Sequence, residues 1–434
     1  MKSKKKKCVL AYSGGLDTTT IVVWLGEQGY EVHAVLVDVG QDEDLEALRV
    51  KALRLGAKSA VIRDAKPAML QSVVPMSIAL QAAYEGNYRL GTALARPFIA
   101  AEQVRAAKQL GGATLVHGAT GKGNDQIRFE FAYRSLAPGF PVLAPWKVWD
   151  LGGREDMIAY LQAHGVDDDY EVTKAYSFDE NLWHLSVEGG PLEDASAEFD
   201  IEQVLSAVTN RFAVGPVGSS AVSPLEVAFE CGLPVALDGA PLPLGDILSM
   251  LNQDYRFAPW AWDLVIENRF TGIKSRGLYI NPAAKLLQVA VDALARTCLN
   301  KPTYDAYVEL GRAYGTILYR GEYFSDQRQV AEAAGRAILE RLSGRVTVHP
   351  FPVPYVSRIC SEAAIFRKTL ATFESSDYAH ADAKGFINLS WLTSVGRAWV
   401  EDGDEVALET GCPVERDVCA DQRESERRLV PASV

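Results

Sequence analysis

The segment CVLAYSGGLDTTTIVVWLGEQG, residues 8–29, decides the fold. The apolar run CVLAY reads as a strand and TTTIVVWLGEQG as a helix, with Ser13, Gly14, Gly15, Leu16 and Asp17 between them. A turn of this kind gathers backbone N–H groups at a helix N-terminus, where unpaired donors and the positive end of the helix dipole favour an anion. Two glycines admit phosphate oxygens where a side chain would block them. Ser13 adds a hydroxyl donor. Asp17 is a poor neighbour for phosphate by itself, so it reads as working through Mg²⁺ or orienting a donor. The plainer reading is a carboxylate that favours the first turn of its helix.

Outward from this stretch the pattern alternates. EVHAVLVDVG and KSAVIRD read as strands, EDLEALRVKALRLGA and ARPFIAAEQVRAAKQLG as helices, followed by strands in ATLVHG and FPVLAPW and a helix in REDMIAYLQAHG. Such alternation predicts an α/β domain, a mostly parallel sheet with helices on both faces and its ligands beyond the carboxyl ends of the strands. The acidic stretch GVDDDYEVTK, residues 165–174, marks a domain boundary. Beyond it short strands mix with helices, among them LLQVAVDALARTC, YDAYVELGRAYGTILYR and FSDQRQVAEAAGRAILERLSG, and the charged tail after about residue 400 reads as disordered or an interface extension.

The chain's 434 residues exceed what one growing core usually holds, so two domains are expected. A net charge of −12 argues against a broad nucleic-acid footprint despite the basic opening MKSKKKK. Only five apolar or aromatic residues follow that opening before Ser13, which does not make a signal peptide. No apolar run reaches the roughly 20 residues of a membrane span. Six scattered cysteines without a C-x-x-C pair read as free thiols in a reducing compartment, so the expected location is cytoplasmic.

A second glycine-rich segment, GATGKGND at 118–125, looks like a shortened Walker sequence, but Gly123 stands where Ser or Thr should follow Lys122. Together with AYSGGLDT it carries a resemblance. The loop after the first strand is similar to that of the N-type ATP pyrophosphatase superfamily. Within that group the chain resembles the argininosuccinate synthase family along nearly its whole length. The matching stretches are YEGNYRLGTALARP (84–97), HGATGKGNDQIRFE (117–130), SFDENLWHLSVEGGPLED (177–194), IENRFTGIKSRGLY (266–279) and KGFINLSWL (384–392).

The resemblance implies a nucleotide-binding domain over residues 1–168, an α+β synthetase and multimerisation domain over 169–395, and a C-terminal extension over 396–434. It implies an AMP-forming carbon–nitrogen ligase that joins citrulline to aspartate through a citrullyl-AMP intermediate, with ATP and Mg²⁺, as a homotetramer with small-molecule substrates and no nucleic-acid or membrane partner. Ala11, Tyr12, Ser13, Gly14, Gly15, Leu16, Asp17, Thr18 and Thr19 would hold ATP, with Asp17 the metal ligand, and Gly118, Thr120 and Lys122 would complete the nucleotide site. Asp125 would meet the aspartate ammonium, and Thr120 and Asn124 its carboxylates. Tyr88, Ala93, Asn124, Arg128, Ser177, Ser186, Glu267 and Tyr279 match positions that hold the acceptor. Among these Arg128 would grip the α-carboxylate and Glu267 the α-ammonium; Asp17, Lys122, Asp125 and Arg128 form the catalytic set.

Departures from the family pattern gather on the acceptor side. Ala93 replaces a serine, Arg89 replaces an apolar residue, and Ile280 stands where an acid is expected after the tyrosine. RFAPWAWDLV, residues 256–265, also lacks the glycines of the family's G-x-G-R-x-D segment. These changes also suit a ligase with another ureido or amide acceptor, Arg89 welcoming a different anion, or a non-catalytic ATP-binding paralogue. A tRNA-modifying relative would need catalytic cysteines and a basic surface that this sequence lacks.

Overall fold

The computed structural model describes residues 6–168, 170, 176–198, 200–212, 223–372 and 377–394. The first part follows the alternation in the sequence: β1 (Lys6–Ala11), α1 (Leu16–Glu27), β2 (Tyr30–Asp38), α2 (Leu45–Arg54) and β3 (Ser59–Asp64). Next come α3 (Lys66–Gln71), α4 (Val73–Ala79), α5 (Gly91–Gln109), β4 (Thr114–Val116), α6 (Asp125–Leu136), β5 (Val142–Leu143) and α7 (Arg154–Ala163). The five strands form a parallel sheet in the order β3-β2-β1-β4-β5. Near-continuous burial of β1 and β2 follows from helices covering both faces.

Three helices, α3, α4 and α6, are not marked by the apolar periodicity, and α5 starts four residues before its expected Ala95. Pro97 suggests a helix start, but it is the seventh residue of α5. The earlier start puts Gly91, Thr92 and Ala93 in the helix's first turn.

The second part comprises β6 (Ser177–Asn181), β7 (His184–Glu188), α8 (Ile201–Phe212), β8 (Leu225–Glu230), β9 (Leu233–Leu237), β10 (Ala240–Pro241) and α9 (Leu244–Tyr255). It continues through β11 (Trp262–Asn268), β12 (Lys274–Ile280), α10 (Pro282–Cys298), α11 (Lys301–Tyr319), α12 (Asp326–Leu339), β13 (Gly344–His349) and β14 (Tyr355–Cys360). One antiparallel sheet runs β10-β9-β8-β13-β14 and another β11-β12-β7-β6. All three sheets lie within one compact unit that ends at Phe366. A single large core cluster joins Val9 and Val35 of the parallel sheet to Val227 and Val346 of the antiparallel one through α4, α5 and α10.

Beyond Phe366 the chain forms a separate unit, with α13 (Lys368–Ala371) and α14 (His380–Ser394). Helix α14 exposes Phe386, Ile387, Leu389 and Leu392. The expected C-terminal extension, residues 396–434, lies outside the described residues, as does half of the acidic boundary stretch. Among the described residues no helix is long and apolar enough to cross a membrane. Cys8, Cys231, Cys298 and Cys360 are free thiols.

Helix α11 lies directly on the backbone of residues 80–83, the approach to Tyr84 and Tyr88. A Cβ on Gly315 would stand 2.4 Å from the Ala83 carbonyl oxygen, and one on Gly311 2.1 Å from that of Leu80. Backbone atoms cannot swing aside as a side chain does. Gly315→Ala is therefore expected to lower unfolding stability by about 1–3 kcal/mol, read as a lower urea midpoint with an unchanged m-value.

Candidate active site

Strand β1 ends at Ala11, and the chain turns through Ser13 to Gly15 into α1. Gly14 has φ +76°, the left-handed region that favours glycine, and a Cβ there would also push on the tip of Leu48 at 2.3 Å. Gly15 is the N-cap of α1, and no side chain caps the helix. The first-turn N–H groups, which have no partner inside the helix, therefore remain available to an anion. Ser13 Oγ and Thr18 Oγ1 lie 3.2 Å apart, and Thr18 Oγ1 accepts from the Ser13 N–H. Thr19 donates to the Gly14 carbonyl, while Tyr12 and Leu16 are buried.

Lys51 of α2 holds the loop from outside, a contact that no local sequence signal marks. Its Nζ donates to the Gly14 carbonyl at 3.2 Å and to the Tyr170 hydroxyl at 2.7 Å, and pairs with Asp168 at 2.8 Å. Tyr170 in turn donates to Thr19.

Asp17 sits in the first turn of α1 and accepts from Trp146 Nε1 at 3.1 Å. Burial raises its pKa, against the donors that favour its ionised form. No cluster of three or more His, Cys, Asp or Glu side chains suited to a metal occurs among the described residues. An all-protein metal cage is therefore not what this site offers. A single, poorly compensated carboxylate beside an anion-binding turn fits Mg²⁺ held mainly by phosphate oxygens.

The second glycine loop leans on the same turn. A Cβ on Gly118 would lie 3.3 Å from Thr18 Cγ2 and 3.9 Å from Asp17 Cβ. Thr120 and Lys122 are exposed, and the Lys122 carbonyl accepts from Thr271. At the start of α6, Asn124 is buried: its Nδ2 donates to the Tyr319 hydroxyl at 2.8 Å, and its Oδ1 accepts from the Phe270 N–H. Asp125 receives Arg96 Nε on one oxygen and Arg128 Nη1 on the other, each at 2.8 Å. Burial alone would raise the Asp125 pKa, but the two guanidinium groups outweigh it and hold the carboxyl below its usual range. Arg96 continues to Asp179 on β6.

The sheet β11-β12-β7-β6 supplies the facing wall. Successive side chains in a strand point to opposite faces, and residues directly opposite across a pair share a face. The pairs Ser177 with Glu188, Asp179 with Ser186, Ser186 with Tyr279, Asp263 with Tyr279 and Glu267 with Ser275 therefore align on one face. The other face of β6, β7 and β12 carries Phe178, Leu185, Val187, Leu278 and Ile280 and packs on Val204 and Val208 of α8. Five expected acceptor residues on this sheet or beside it, Tyr88, Ser177, Ser186, Glu267 and Tyr279, thus fall on or against the polar face. Tyr88 packs on Tyr279 with ring centroids 4.5 Å apart.

Arg128 crosses from α6 to this region. Its Nε donates to the Tyr319 carbonyl at 3.1 Å, so two of its nitrogens are already engaged and the expected two-pronged grip on a carboxylate is not preformed. Tyr319 donates to Glu267 at 3.0 Å, and Ser275 donates to the same carboxylate. Arg96, Tyr319 and Glu188 were not singled out from the sequence. Arg96 stood within the matching LARP block, the one signal that could have found it.

The departures prove separable. Arg89 is held by the protein itself: it donates to Asp263 at 2.8 Å and to Gln288 at 2.8 Å. Lys285 reaches the other oxygen of Asp263 at 2.7 Å. Burial lowers the pKa of both cations, and Asp263 counters it. The charge of Arg89 is therefore already countered within the protein. Asp263 itself comes from the departing stretch 256–265, so these two changes form one ion pair. Ile280 faces the α8 core, opposite to Tyr279. Ala93, fully buried in the first turn of α5, is the departure left on the acceptor side.

A parallel sheet ending in two phosphate-type loops, closed by a polar antiparallel face, defines a HUP-type nucleotide-binding domain coupled to a synthetase domain. Residues 7–167 match the family model "Arginosuccinate synthase N-terminal HUP domain", and residues 176–395 match "Arginosuccinate synthase C-terminal domain". The chain belongs to the argininosuccinate synthase family, a family of ligases. It is 37% identical over 393 residues to an argininosuccinate synthase of Caldicellulosiruptor saccharolyticus, covering 89% of this chain and 95% of that protein. For Endomicrobium trichonymphae the identity is 38%, with 92% and 96% covered. For Carboxydothermus hydrogenoformans it is 39%, with 91% and 98% covered. ATP use is consistent with this membership.

The ion triad gives an asymmetric expectation. Asp263→Asn leaves two buried cations facing each other and should cost about 3–5 kcal/mol. Arg89→Met leaves the Asp263–Lys285 pair balanced and strips Gln288 of one donor, a loss of about 1 kcal/mol. Denaturant titration of both variants checks the order, and Arg89→Met should keep the acceptor preference of the unsubstituted chain.

Proposed function

We propose that this chain condenses citrulline with aspartate, using ATP and releasing AMP and pyrophosphate. The observation that carries the reading is the ion chain Asp125–Arg96–Asp179, which ties the end of the second glycine loop to the polar sheet face. A nucleotide on the loops and an amino acid on that face would then be neighbours.

The chemistry explains why both are needed. Nitrogen lone pairs make a ureido carbon a poor electrophile, and transfer of AMP to the ureido oxygen removes that protection. The uncapped start of α1 and the Ser13 hydroxyl would hold the phosphates, and the Thr18 hydroxyl orders the turn. Asp17 would hold Mg²⁺, which would supply charge neutralisation to the phosphates. Asn124 and Thr120 would orient the aspartate carboxylates, and Asp125, fixed by two arginines, its ammonium. Glu267, fixed by Ser275 and Tyr319, offers a charge to the acceptor ammonium. Arg128 meets the acceptor carboxylate through the side of its guanidinium not engaged by Asp125. Lys122, exposed in the loop, would meet ATP.

The alternative, a different ureido or amide acceptor, rests on Ala93 alone now that Arg89 and Ile280 have structural partners. Retention of Asp17, Asp125 and Arg128 argues against a paralogue without turnover. The exposed apolar residues of α14 support self-association as a homotetramer, and the free cysteines support a reducing, cytoplasmic setting.

Purified protein given ATP, Mg²⁺ and aspartate should release pyrophosphate and AMP only when citrulline is added, with a product of the mass of argininosuccinate. Asp17→Asn should slow that release about 10²–10³-fold. Silence with citrulline and turnover with another ureido acid would transfer the reading to the alternative acceptor.

A further inference from the structure

The proposed reaction leaves one proton unassigned. Aspartate arrives as an α-ammonium, which has no lone pair, so a base must free its amine before it can attack. Most acids around the polar face are already committed. Asp125 faces Arg96 and Arg128, Asp179 faces Arg96, and Glu267 accepts from Ser275 and Tyr319.

Glu188 is different. It stands two residues beyond Ser186 on β7 and directly opposite Ser177 on β6, so it projects from the ligand-facing side of the sheet. Among the described residues its polar partner is Arg269 Nη2, 3.5 Å away, long for a charge-assisted hydrogen bond. Of its side-chain surface 41% stays open, against 6% for Glu267. Its carboxylate is therefore reachable from solvent. The charged and titratable groups that face it are Arg269 after β11, Glu267 of β11, Asp125 of α6, Asp179 of β6, and the phenols of Tyr88 and Tyr279.

Resting on the ligase reading above, we infer that Glu188 is the catalytic base that deprotonates the incoming aspartate ammonium. The N–H bond breaks toward nitrogen, its electron pair becomes the attacking lone pair, and the proton passes to a Glu188 carboxylate oxygen. Nothing is oxidised or reduced. When the adduct collapses, the second proton shed by nitrogen leaves on the departing AMP phosphate, and solvent resets Glu188 through its open side. Burial and the neighbouring acids outweigh Arg269 and raise the Glu188 pKa to about 7. That value suits a base working near neutrality.

Rapid-quench kinetics of Glu188→Gln in the full chain test the assignment, with aspartate and then with aminooxysuccinate, whose amine is unprotonated at neutral pH. The variant should give a citrulline-dependent burst of one pyrophosphate per site, as adenylation is spared, followed by steady turnover with aspartate slowed about 10²–10⁴-fold. The acid limb of the rate near pH 7 should disappear. With aminooxysuccinate the variant and the unsubstituted chain should turn over equally. Loss of the burst, an unchanged steady rate, or equal slowing with both amines would overturn the role of Glu188. Absence of citrulline-dependent pyrophosphate in the unsubstituted chain would instead remove the ligase reading, and this assignment with it.

Discussion

Asp125 stands between two guanidinium groups, and much of the site depends on that bridge. Arg96, from α5, reaches it at 2.8 Å and continues to Asp179 of β6; Arg128, from its own helix, closes the other oxygen. An enclosed arginine costs a great deal to desolvate unless carboxylates surround it. Here two carboxylates flank Arg96, and each is carried by a different layer of the molecule. Removing any member would leave a charge without its counterion, so the elements are held in one mutual arrangement. The parallel sheet presents its loops, and the polar face of β6, β7, β11 and β12 comes to meet them.

Around this bridge the work divides by backbone type. On the nucleotide side, recognition comes from the chain itself: a glycine in the left-handed region at Gly14 and a helix start without a side-chain cap. On the amino-acid side it comes from alternation. The same strands that bury Leu185, Val187, Leu278 and Ile280 against α8 turn Ser186, Glu188 and Tyr279 to the opposite, polar face. One-residue slippage would exchange the two sets, so the apolar core of this small sheet is what keeps the polar face in register.

The nucleotide half was legible because its signals are local. Strand, turn glycines and helix lie within residues 8–29, and the apolar runs separating the later helices mark the rest of the sheet. The acceptor half was legible mainly as resemblance, since no spacing rule connects Ser177 with Glu188 or Glu267 with Tyr319. Arg89 shows the limit most clearly. Beside Tyr88 it reads as a new ligand contact, yet it pairs with Asp263 on β11, 174 positions away in the chain. Ile280 misleads for a related reason: a missing acid is informative only once the face of the strand is known. Arg96 and Lys51 act on loops far from them in sequence, and only packing brings them there.

The proposed reaction activates the acceptor through its ureido oxygen, on a face set beside the nucleotide loops. Citrulline labelled with ¹⁸O in the ureido group tests it directly, by the mass of the AMP and pyrophosphate released. The label should leave in AMP, with none in pyrophosphate. Unlabelled AMP formed along with product would contradict it, because the oxygen would then have departed by a route that never passes through an adenylate.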